Sequence, residues 1–220
     1  MSEIVNFADT MRNRTIILLL LLMLTSIGLS AQPVTEALTV YRQFRPATVF
    51  LANGKKSRVD MANIFLKNSA LLFKRGDDTM QATMSTISRV EFSDRTYYRL
   101  DTLLAYVVDS VAGRPLFCAQ RIDMEAFQRW VSNNTEISSL SLGDNIGVTT
   151  VEIGEESTLP VREDYFVKIK GRYILISERS LRRELDKEHR RIMSSVVSRP
   201  SFSWTDSKSL LELLAAVLTD

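Results

Sequence analysis

Cysteine and histidine are almost absent from the sequence, which contains one residue of each type. A single cysteine, Cys118, cannot form an intrachain disulfide, so the chain is not a disulfide-stapled scaffold. It lies in the apolar run 115–119, where we expect a small buried core residue; a reactive thiol or an intermolecular bridge is the alternative. Zinc sites use several nitrogen or sulfur ligands, so this composition argues against one.

Recognisable catalytic motifs are also missing. The sequence has no GxxxxGK[ST], GxGxxG, GxSxG or HExxH pattern. His189 lies beside the apolar stripe of a predicted helix, and we expect it to pack there, because a catalytic base needs a matched nucleophile and an orienting group. The sequence therefore nominates no catalytic, cofactor-binding or metal-binding residue, and a noncatalytic protein is the leading expectation.

Charge of one sign is not in excess. Lys and Arg number 28 against 26 Asp and Glu, a formal net charge of +2, so we expect no nucleic-acid partner. The predicted helix 178–199 carries a basic face, for which we expect a solvated surface with ion pairs; a patch for anionic lipid or glycan is the alternative. That face is formed by Arg179, Arg182, Arg183, Arg190 and Arg191.

The long apolar run near the N-terminus predicts export. Residues 16–24 read IILLLLLML after Arg12 and Arg14, and a small-residue segment follows, which is the pattern of a cleaved signal peptide. We expect residues 1–31 to be removed between Ala31 and Gln32, leaving no transmembrane span. An uncleaved signal anchor is the alternative, because the weaker extension to Leu29 could contribute to a span of about 20 residues.

Two further features concern this N-terminal segment. Met11 begins a more typical basic leader than Met1, so either residue could be the translation start. No cysteine follows the apolar run, so a lipoprotein anchor is not available at the processed terminus. The resulting localisation is periplasmic or envelope-associated.

Hydrophobic patterning predicts an α+β protein of ordinary globular composition, with 45% hydrophobic and 25% charged residues. Short alternating segments separated by turn residues predict a strand-rich small barrel or curled antiparallel meander over 32–135, which ends in a short helix capped by Asp123. Residues 136–145 are expected to be a linker or long loop. Residues 146–220 should contain a β-hairpin around Gly171 and two C-terminal helices, over 178–197 and 206–218.

Three short patterns suggest binding sites, but each has a simpler structural interpretation. Arg75-Gly-Asp77 spells an integrin-type tripeptide, yet we expect a turn between strands. Asp77, Asp78 and Asp94 could offer oxygens to Ca²⁺, but EF-hand spacing is absent and solvated turn acids are expected. The Tyr97-Tyr98 pair could stack on a sugar or a base, although strand aromatics commonly pack across strands.

Two regions of the sequence resemble known proteins. They are NGK at 53–55 with NIFLKN at 63–68 and RVEFSD at 89–94, and DYFVKIKG at 164–171 followed by the terminal helices. With these, the chain resembles a group of uncharacterised exported proteins of Bacteroidetes-type bacteria. The resemblance implies an envelope location and a β-rich body, and it implies no activity and no site residues.

The same resemblance makes one modification pattern relevant. Asp followed by Ser or Thr and an apolar residue is the O-glycosylation acceptor of such bacteria, and the sequence has it at Thr79, Thr102 and Ser110. These three hydroxyls are therefore candidate modification sites.

Together these observations predict an exported, noncatalytic interaction or assembly module of the cell envelope, with an unknown envelope protein, lipid or glycan as partner. Two alternatives remain at this stage: a periplasmic carrier of a small lipid or glycan, and a hydrolase with a nonstandard site. A carrier should contain an apolar cavity, a module should expose an apolar patch or an open strand edge, and an enzyme should gather ionisable groups in a cleft.

Overall fold

The computed structural model describes residues 34–133, 150–153 and 159–218. The strands in this part of the chain are β1 (Val34–Ala37), β2 (Arg45–Leu51), β3 (Lys56–Phe65), β4 (Ala70–Arg75), β5 (Asp78–Gln81), β6 (Ile87–Glu91), β7 (Thr96–Leu100), β8 (Leu103–Val111), β9 (Arg114–Ile122), β10 (Thr150–Ile153), β11 (Val161–Ile169) and β12 (Arg172–Leu175). The helices are α1 (Met124–Asn133), α2 (Glu178–Glu184), α3 (Lys187–Val197) and α4 (Ser207–Leu218), with one 3₁₀ turn at Met84–Thr86.

Ten of these strands form one antiparallel sheet in the order β12-β11-β9-β8-β7-β6-β2-β3-β4-β5. The sheet curls into a half-barrel, because the turn after β3 folds back onto β8. There the Leu104 amide donates to the carbonyl oxygen of Ser69 at 2.8 Å, and the Ser69 hydroxyl donates to the Leu104 carbonyl oxygen at 2.6 Å. The predicted α+β fold class, with a curled antiparallel meander, is confirmed.

Tight turns set the register of the hairpins. Between β11 and β12 the two turn residues, Lys170 and Gly171, both adopt positive φ, at 49° and 81°. Two consecutive positive φ values define a type I′ turn, whose twist matches that of paired strands. The predicted hairpin at this position is therefore present, and its register places Ile169 opposite Arg172.

The two faces of the sheet are packed differently. We call inner the face that carries Val49, Val90, Tyr97 and Cys118, because it lines the half-barrel and continues beneath the C-terminal helices. Helix α4 contributes most to that helical layer, with Leu210, Leu213 and Leu214 each fully buried. We call the opposite face of the sheet outer.

The helix predicted over residues 178–197 is broken, so three C-terminal helices follow β12 rather than two. Leu185 adopts an extended conformation with ψ of 146°, and Asp186 caps α3 by accepting hydrogen bonds from the amides of Glu188 and His189. The break lets Leu181 and Leu185 join the same core as Met193 and Val196.

The helix cap predicted at Asp123 is confirmed, because Asp123 accepts a hydrogen bond from the Ala126 amide at 3.0 Å at the start of α1. The Ser177 side chain caps α2 by accepting a hydrogen bond from the Ser180 amide. Helix α4 is largely buried, as its leucine content predicts.

The predicted linker, residues 136–145, and the predicted signal segment, residues 1–31, lie outside the described residues. Strands that precede the predicted linker pair with strands that follow it: β9 pairs with β11, and β1 pairs with β10. None of the helices within the described ranges is long and apolar enough to cross a membrane.

Candidate functional site

A row of polar side chains crosses the inner face of the sheet where the half-barrel meets the helical layer. Register pairs Tyr97 with Tyr106, Tyr106 with Cys118, and Cys118 with Tyr165 across β7, β8, β9 and β11. Directly opposed residues share a face of an antiparallel sheet. Three phenols and the thiol, named here the tyrosine–cysteine row, therefore follow one line over residues distant in sequence.

Burial holds this row in its protonated forms. Tyr97 and Cys118 have no exposed surface, and Tyr165 is 6% exposed. Loss of hydration raises the pKa of Cys118 to about 12, with the Tyr106 side chain opposing the rise. The pKa of Tyr106 is raised by burial and then by its hydrogen bond with Cys118, and that of Tyr165 by burial and then by Glu163.

Arg95 and Tyr41 close one end of the row. The Arg95 guanidinium lies over the Tyr106 ring, 3.9 Å from its centroid, and the Tyr41 hydroxyl donates to Asp94 at 3.2 Å. Tyr97 Oη lies near both Tyr41 and Arg95, but no hydrogen bond of normal geometry reaches it from the described residues. Burial raises the pKa of Tyr97 as well, so its proton is retained.

The other end of the row contains carboxylates. The Tyr165 hydroxyl donates to Glu163 Oε2 at 2.5 Å, and Gln120 Nε2 donates to Glu163 Oε1 at 3.3 Å. On the outer face, Asp164 is paired with both Arg121 and Arg162. Each carboxylate is thus engaged in local contacts that hold β9 and β11 together.

The chemistry available to the row is hydrogen bonding between neutral groups. A thiol with a pKa near 12 contains little thiolate at neutral pH, and thiolate is the nucleophilic form. Within residues 34–133, 150–153 and 159–218, no group of three or more His, Cys, Asp or Glu side chains is placed to hold a metal ion. The expected buried position of Cys118 is confirmed.

The ends of the ten-stranded sheet offer a different kind of site. Strand β12 lies at one end and β5 at the other, and no strand in the described part of the chain pairs with the outward side of either. A free edge presents backbone N–H and C=O groups that can pair with another chain. Exposed apolar side chains lie on both edge strands, with Leu175 40% exposed on β12 and Met80 41% exposed on β5.

A groove of about 520 Å³ runs between β12 and α2. Its lining is made by Arg172, Tyr173, Ile174, Leu175, Ser180, Arg183 and Glu184. Arg172 Nη2 contacts Glu184 Oε1 at 3.1 Å, and the Lys170 ammonium donates to the Glu184 carbonyl oxygen at 3.1 Å. These contacts place the C-terminal end of α2 beside the start of β12.

Two other grooves are open and partly polar. One of about 560 Å³ lies beside Lys67, Gln81, Thr102 and Arg121, and one of about 280 Å³ lies beside Thr48, Arg58 and Glu91. The half-barrel itself is filled by large side chains, including the fully buried Ile64, Leu71, Ile87, Tyr97 and Leu104.

The outer face of the sheet carries an aromatic strip that ends at β12. Tyr98 packs edge-on against Phe117 with centroids 6.1 Å apart, and Phe117 packs edge-on against Tyr173 at 5.6 Å. Phe166 opposes both Phe117 and Leu175 in register and belongs to the same cluster. Apolar surface therefore continues to the free edge.

The three candidate modification sites lie apart from one another. Thr102 is exposed in the turn between β7 and β8, Ser110 is exposed near the end of β8, and Thr79 is half-buried on β5. Their glycosylation stays a prediction. The cleavage site at Ala31 and Gln32 lies outside the described residues.

The other sequence patterns are separated by the fold. Arg75-Gly-Asp77 forms the turn between β4 and β5, as expected, while Asp94 is held by Arg45 at 3.3 Å and by Tyr41. Tyr97 and Tyr98 point to opposite faces, so they do not form one stacking platform. His189 is half-buried, and its Nδ1 lies 2.9 Å from Asp186 Oδ2.

Sequence reasoning missed both the tyrosine–cysteine row and the groove beside β12. The row depends on the register of four strands, and no spacing along the chain encodes that register. The free edge depends on the strand order, which hairpin signals alone do not determine. Comparison with protein-family models, curated proteins and solved structures finds no significant match to the chain.

Proposed function

We propose that the protein is an exported, noncatalytic module of the cell envelope that binds another macromolecule through a free edge of its sheet. The observation that carries this proposal is the position of β12 and β5 at the two ends of a single ten-stranded sheet. Soluble proteins commonly shield such edges with charged residues, proline or covering segments, because an exposed edge recruits other strands. Export rests on the apolar leader at 16–24 and on the resemblance to exported Bacteroidetes-type proteins.

The packing gives less support to the two alternatives. A carrier of a small lipid needs an enclosed apolar cavity, whereas large side chains such as Ile64, Leu71 and Tyr97 fill the half-barrel. A hydrolase needs an activated nucleophile, whereas burial raises the pKa of Cys118 to about 12. A lipid or glycan could still bind at the surface of a module, and the partner search must therefore include both.

Site-specific crosslinking tests the binding role. A photoreactive phenylalanine analogue is placed at Leu175 on β12, at Thr79 on β5, and at the exposed Glu212 on α4 as a control. After irradiation in envelope extract, adducts are identified by mass spectrometry. Adducts confined to one or both edge positions support the module. Equal labelling at all three positions, or no adduct at either edge, contradicts it.

Export is tested separately. The full chain is expressed in a host of the same bacterial type, the cells are fractionated, and the N-terminus of the recovered protein is identified. We expect an envelope or periplasmic protein that begins at Gln32. Recovery in the cytoplasm with residues 1–31 intact would overturn the export part of the proposal. Binding through the sheet edge would then still be decided by the crosslinking experiment.

A further inference from the structure

We infer that the β12 edge and its groove bind an extended peptide in which acidic and apolar residues alternate, and that this peptide pairs with β12 as an eleventh strand of the sheet. The inference rests on the proposed function and specifies which of the two edges is used and what chemistry it takes. Three observations carry it: the direction of the edge's backbone groups, the character of its two faces, and the charge around the groove.

The hydrogen-bonding pattern of the hairpin leaves one set of backbone groups facing outward. The Ile176 amide donates to the carbonyl oxygen of Tyr165 at 2.8 Å, and Arg172 opposes Ile169 across the two-residue turn. In an antiparallel pair, backbone groups alternate between the partner strand and the opposite side. Ile174 therefore faces β11 with its N–H, while Tyr173 and Leu175 direct theirs to the free side.

The side chains along this edge differ between the two faces. Tyr173 and Leu175 share the outer face, where Tyr173 contacts Phe117 and Leu175 opposes Phe166. Arg172 and Ile174 lie on the other face, beside α2 and the groove. A strand added here would place alternate residues on these two surfaces, because side chains alternate along a strand.

The two surfaces select different residues. On the outer face, Tyr173 and the 40% exposed Leu175 extend the aromatic strip and favour apolar neighbours. On the groove face, Arg172 has a side chain that is 70% exposed, and Arg183 is exposed and makes no ion pair with the described residues. Acidic residues placed on that face would meet both guanidinium groups.

The surrounding charge has the same sign. Lys168 and Lys170 are exposed on the strand and turn that lead to the edge. Glu184, the carboxylate that lines the groove, is only 15% exposed and is already engaged by Arg172. The other edge lacks this bias, because β5 begins with Asp78 opposite Arg75. Basic flanks attract an acidic segment and disfavour the pairing of two β12 edges with each other.

Peptide binding to the full mature chain tests the inference. The probe is a fluorescein-labelled eight-residue peptide that alternates Glu and Val, and binding is followed by anisotropy. Two further versions carry N-methyl groups on every second residue, one on the Glu positions and one on the Val positions. Only one set of amides can face β12, so we expect the two methylated peptides to differ by about tenfold in affinity.

Protein variants locate the site. Leu175→Pro removes an N–H that makes no bond inside the sheet, so proline should be tolerated there while peptide affinity falls by about tenfold. Leu175→Ala is the matched variant that keeps the N–H, and Thr79→Pro makes the equivalent change at the β5 edge. We expect Thr79→Pro to bind as the wild type does. Arg183→Gln should weaken binding by about twofold to fivefold and reduce its dependence on salt.

Each contrary result overturns the inference. Absence of binding, equal binding of the two methylated peptides, equal binding of a Lys/Val peptide, or equal loss in Thr79→Pro would each do so. Self-association that Leu175→Pro abolishes, measured by analytical ultracentrifugation, would assign the edge to a second copy of this chain instead. Melting curves establish that the variants are folded, and crosslinks at Thr79 in the absence of peptide binding would leave the general module role standing.

Discussion

Tyr106 and Cys118 face each other as cross-strand partners on β8 and β9, on the inner face of the sheet. Tyr165 continues the line from Cys118 on β11, and Tyr97 continues it from Tyr106 on β7. The thiol therefore lies between phenols in a region where burial favours neutral groups. Its environment is that of a structural cysteine, and this has measurable consequences.

The Cys118 thiol should be unreactive in the folded protein. Its pKa near 12 leaves little thiolate at pH 8, and no part of its surface is exposed. We expect modification of Cys118 by a disulfide reagent such as DTNB to be slow in buffer and rapid in denaturant. In denaturant, one thionitrobenzoate should be released from the reagent per protein chain. Fast stoichiometric reaction with the native protein would contradict this assignment.

The protein should lose stability at alkaline pH. The pKa values of Cys118, Tyr106 and Tyr165 are raised in the folded state, so the unfolded chain releases these protons first as pH increases. Their contribution to stability is complete below the unfolded values, near pH 9 to 10, and is lost as pH rises toward the folded values. Urea unfolding at pH 8, 10 and 11 should show a falling midpoint.

Absorbance at 295 nm provides an independent measurement of the same effect. The phenols of Tyr106 and Tyr165, whose pKa values are raised by burial, should ionise together with unfolding, so their absorbance change should coincide with the loss of the fold. A gradual titration of every tyrosine with no loss of fold would contradict the burial of the row.

Tyr97→Phe and Tyr165→Phe should have different effects on the free energy of unfolding. The Tyr97 hydroxyl is buried without a hydrogen bond of normal geometry to the described residues, so its removal should be neutral or stabilising by up to about 1 kcal/mol. The Tyr165 hydroxyl donates to Glu163, so its removal should cost about 1 kcal/mol. Chemical denaturation of both variants tests the contrast, and a larger loss in Tyr97→Phe would oppose it.

Leu213→Ala should be strongly destabilising. Leu213 is fully buried where α4 covers the sheet, and deletion of such a side chain costs about 2–5 kcal/mol through lost transfer energy and a residual cavity. Glu212→Ala, one residue earlier on the exposed face of α4, is the matched control and should stay near the wild-type value. Equal effects of the two substitutions would show that α4 is not part of the core.

Asp186→Ala should lower the melting temperature at pH 7. The Asp186 carboxylate accepts hydrogen bonds from the amides of His189 and Glu188, and these bonds lower its pKa. A carboxyl whose folded pKa is depressed stabilises the fold above the unfolded pKa, and this stabilisation is lost as pH falls through the folded value.

The difference between the wild type and Asp186→Ala should therefore shrink as pH falls below 4. Asp186→Asn, which retains the capping acceptor, should lie between the other two at pH 7. A difference that does not change with pH would exclude the carboxylate as its source.

Local signals predict much of the fold. Asn53-Gly54 is a strong turn signal and Gly171 is a turn residue, and both lie between paired strands. The break at Leu185 was not predicted, because the apolar spacing from Leu181 to Val196 suits a continuous helix. An aspartate within such a pattern can cap a second helix instead, and the burial of Leu185 against the core favours that outcome.

The candidate sites were less accessible to sequence reasoning. Cys118 could be recognised as a core residue from its apolar neighbours, but its partners Tyr106 and Tyr165 could not. Likewise, Arg183 was identified as part of a basic helix face, while its position beside the β12 edge follows from the contact of α2 with that strand. The strand order decides which distant segments come into contact. The hydrophobic periodicity along one strand does not specify which strands lie beside it.

The sequence by itself determined the α+β class, the hairpin turns, the burial of α4 and the absence of recognisable catalytic motifs, because each depends on residues that are neighbours along the chain. Only the tertiary structure decided that β12 and β5 are the ends of one sheet and that the phenols and the thiol form a row. Both features arise from long-range pairing, in which burial of whole strands outweighs local preference.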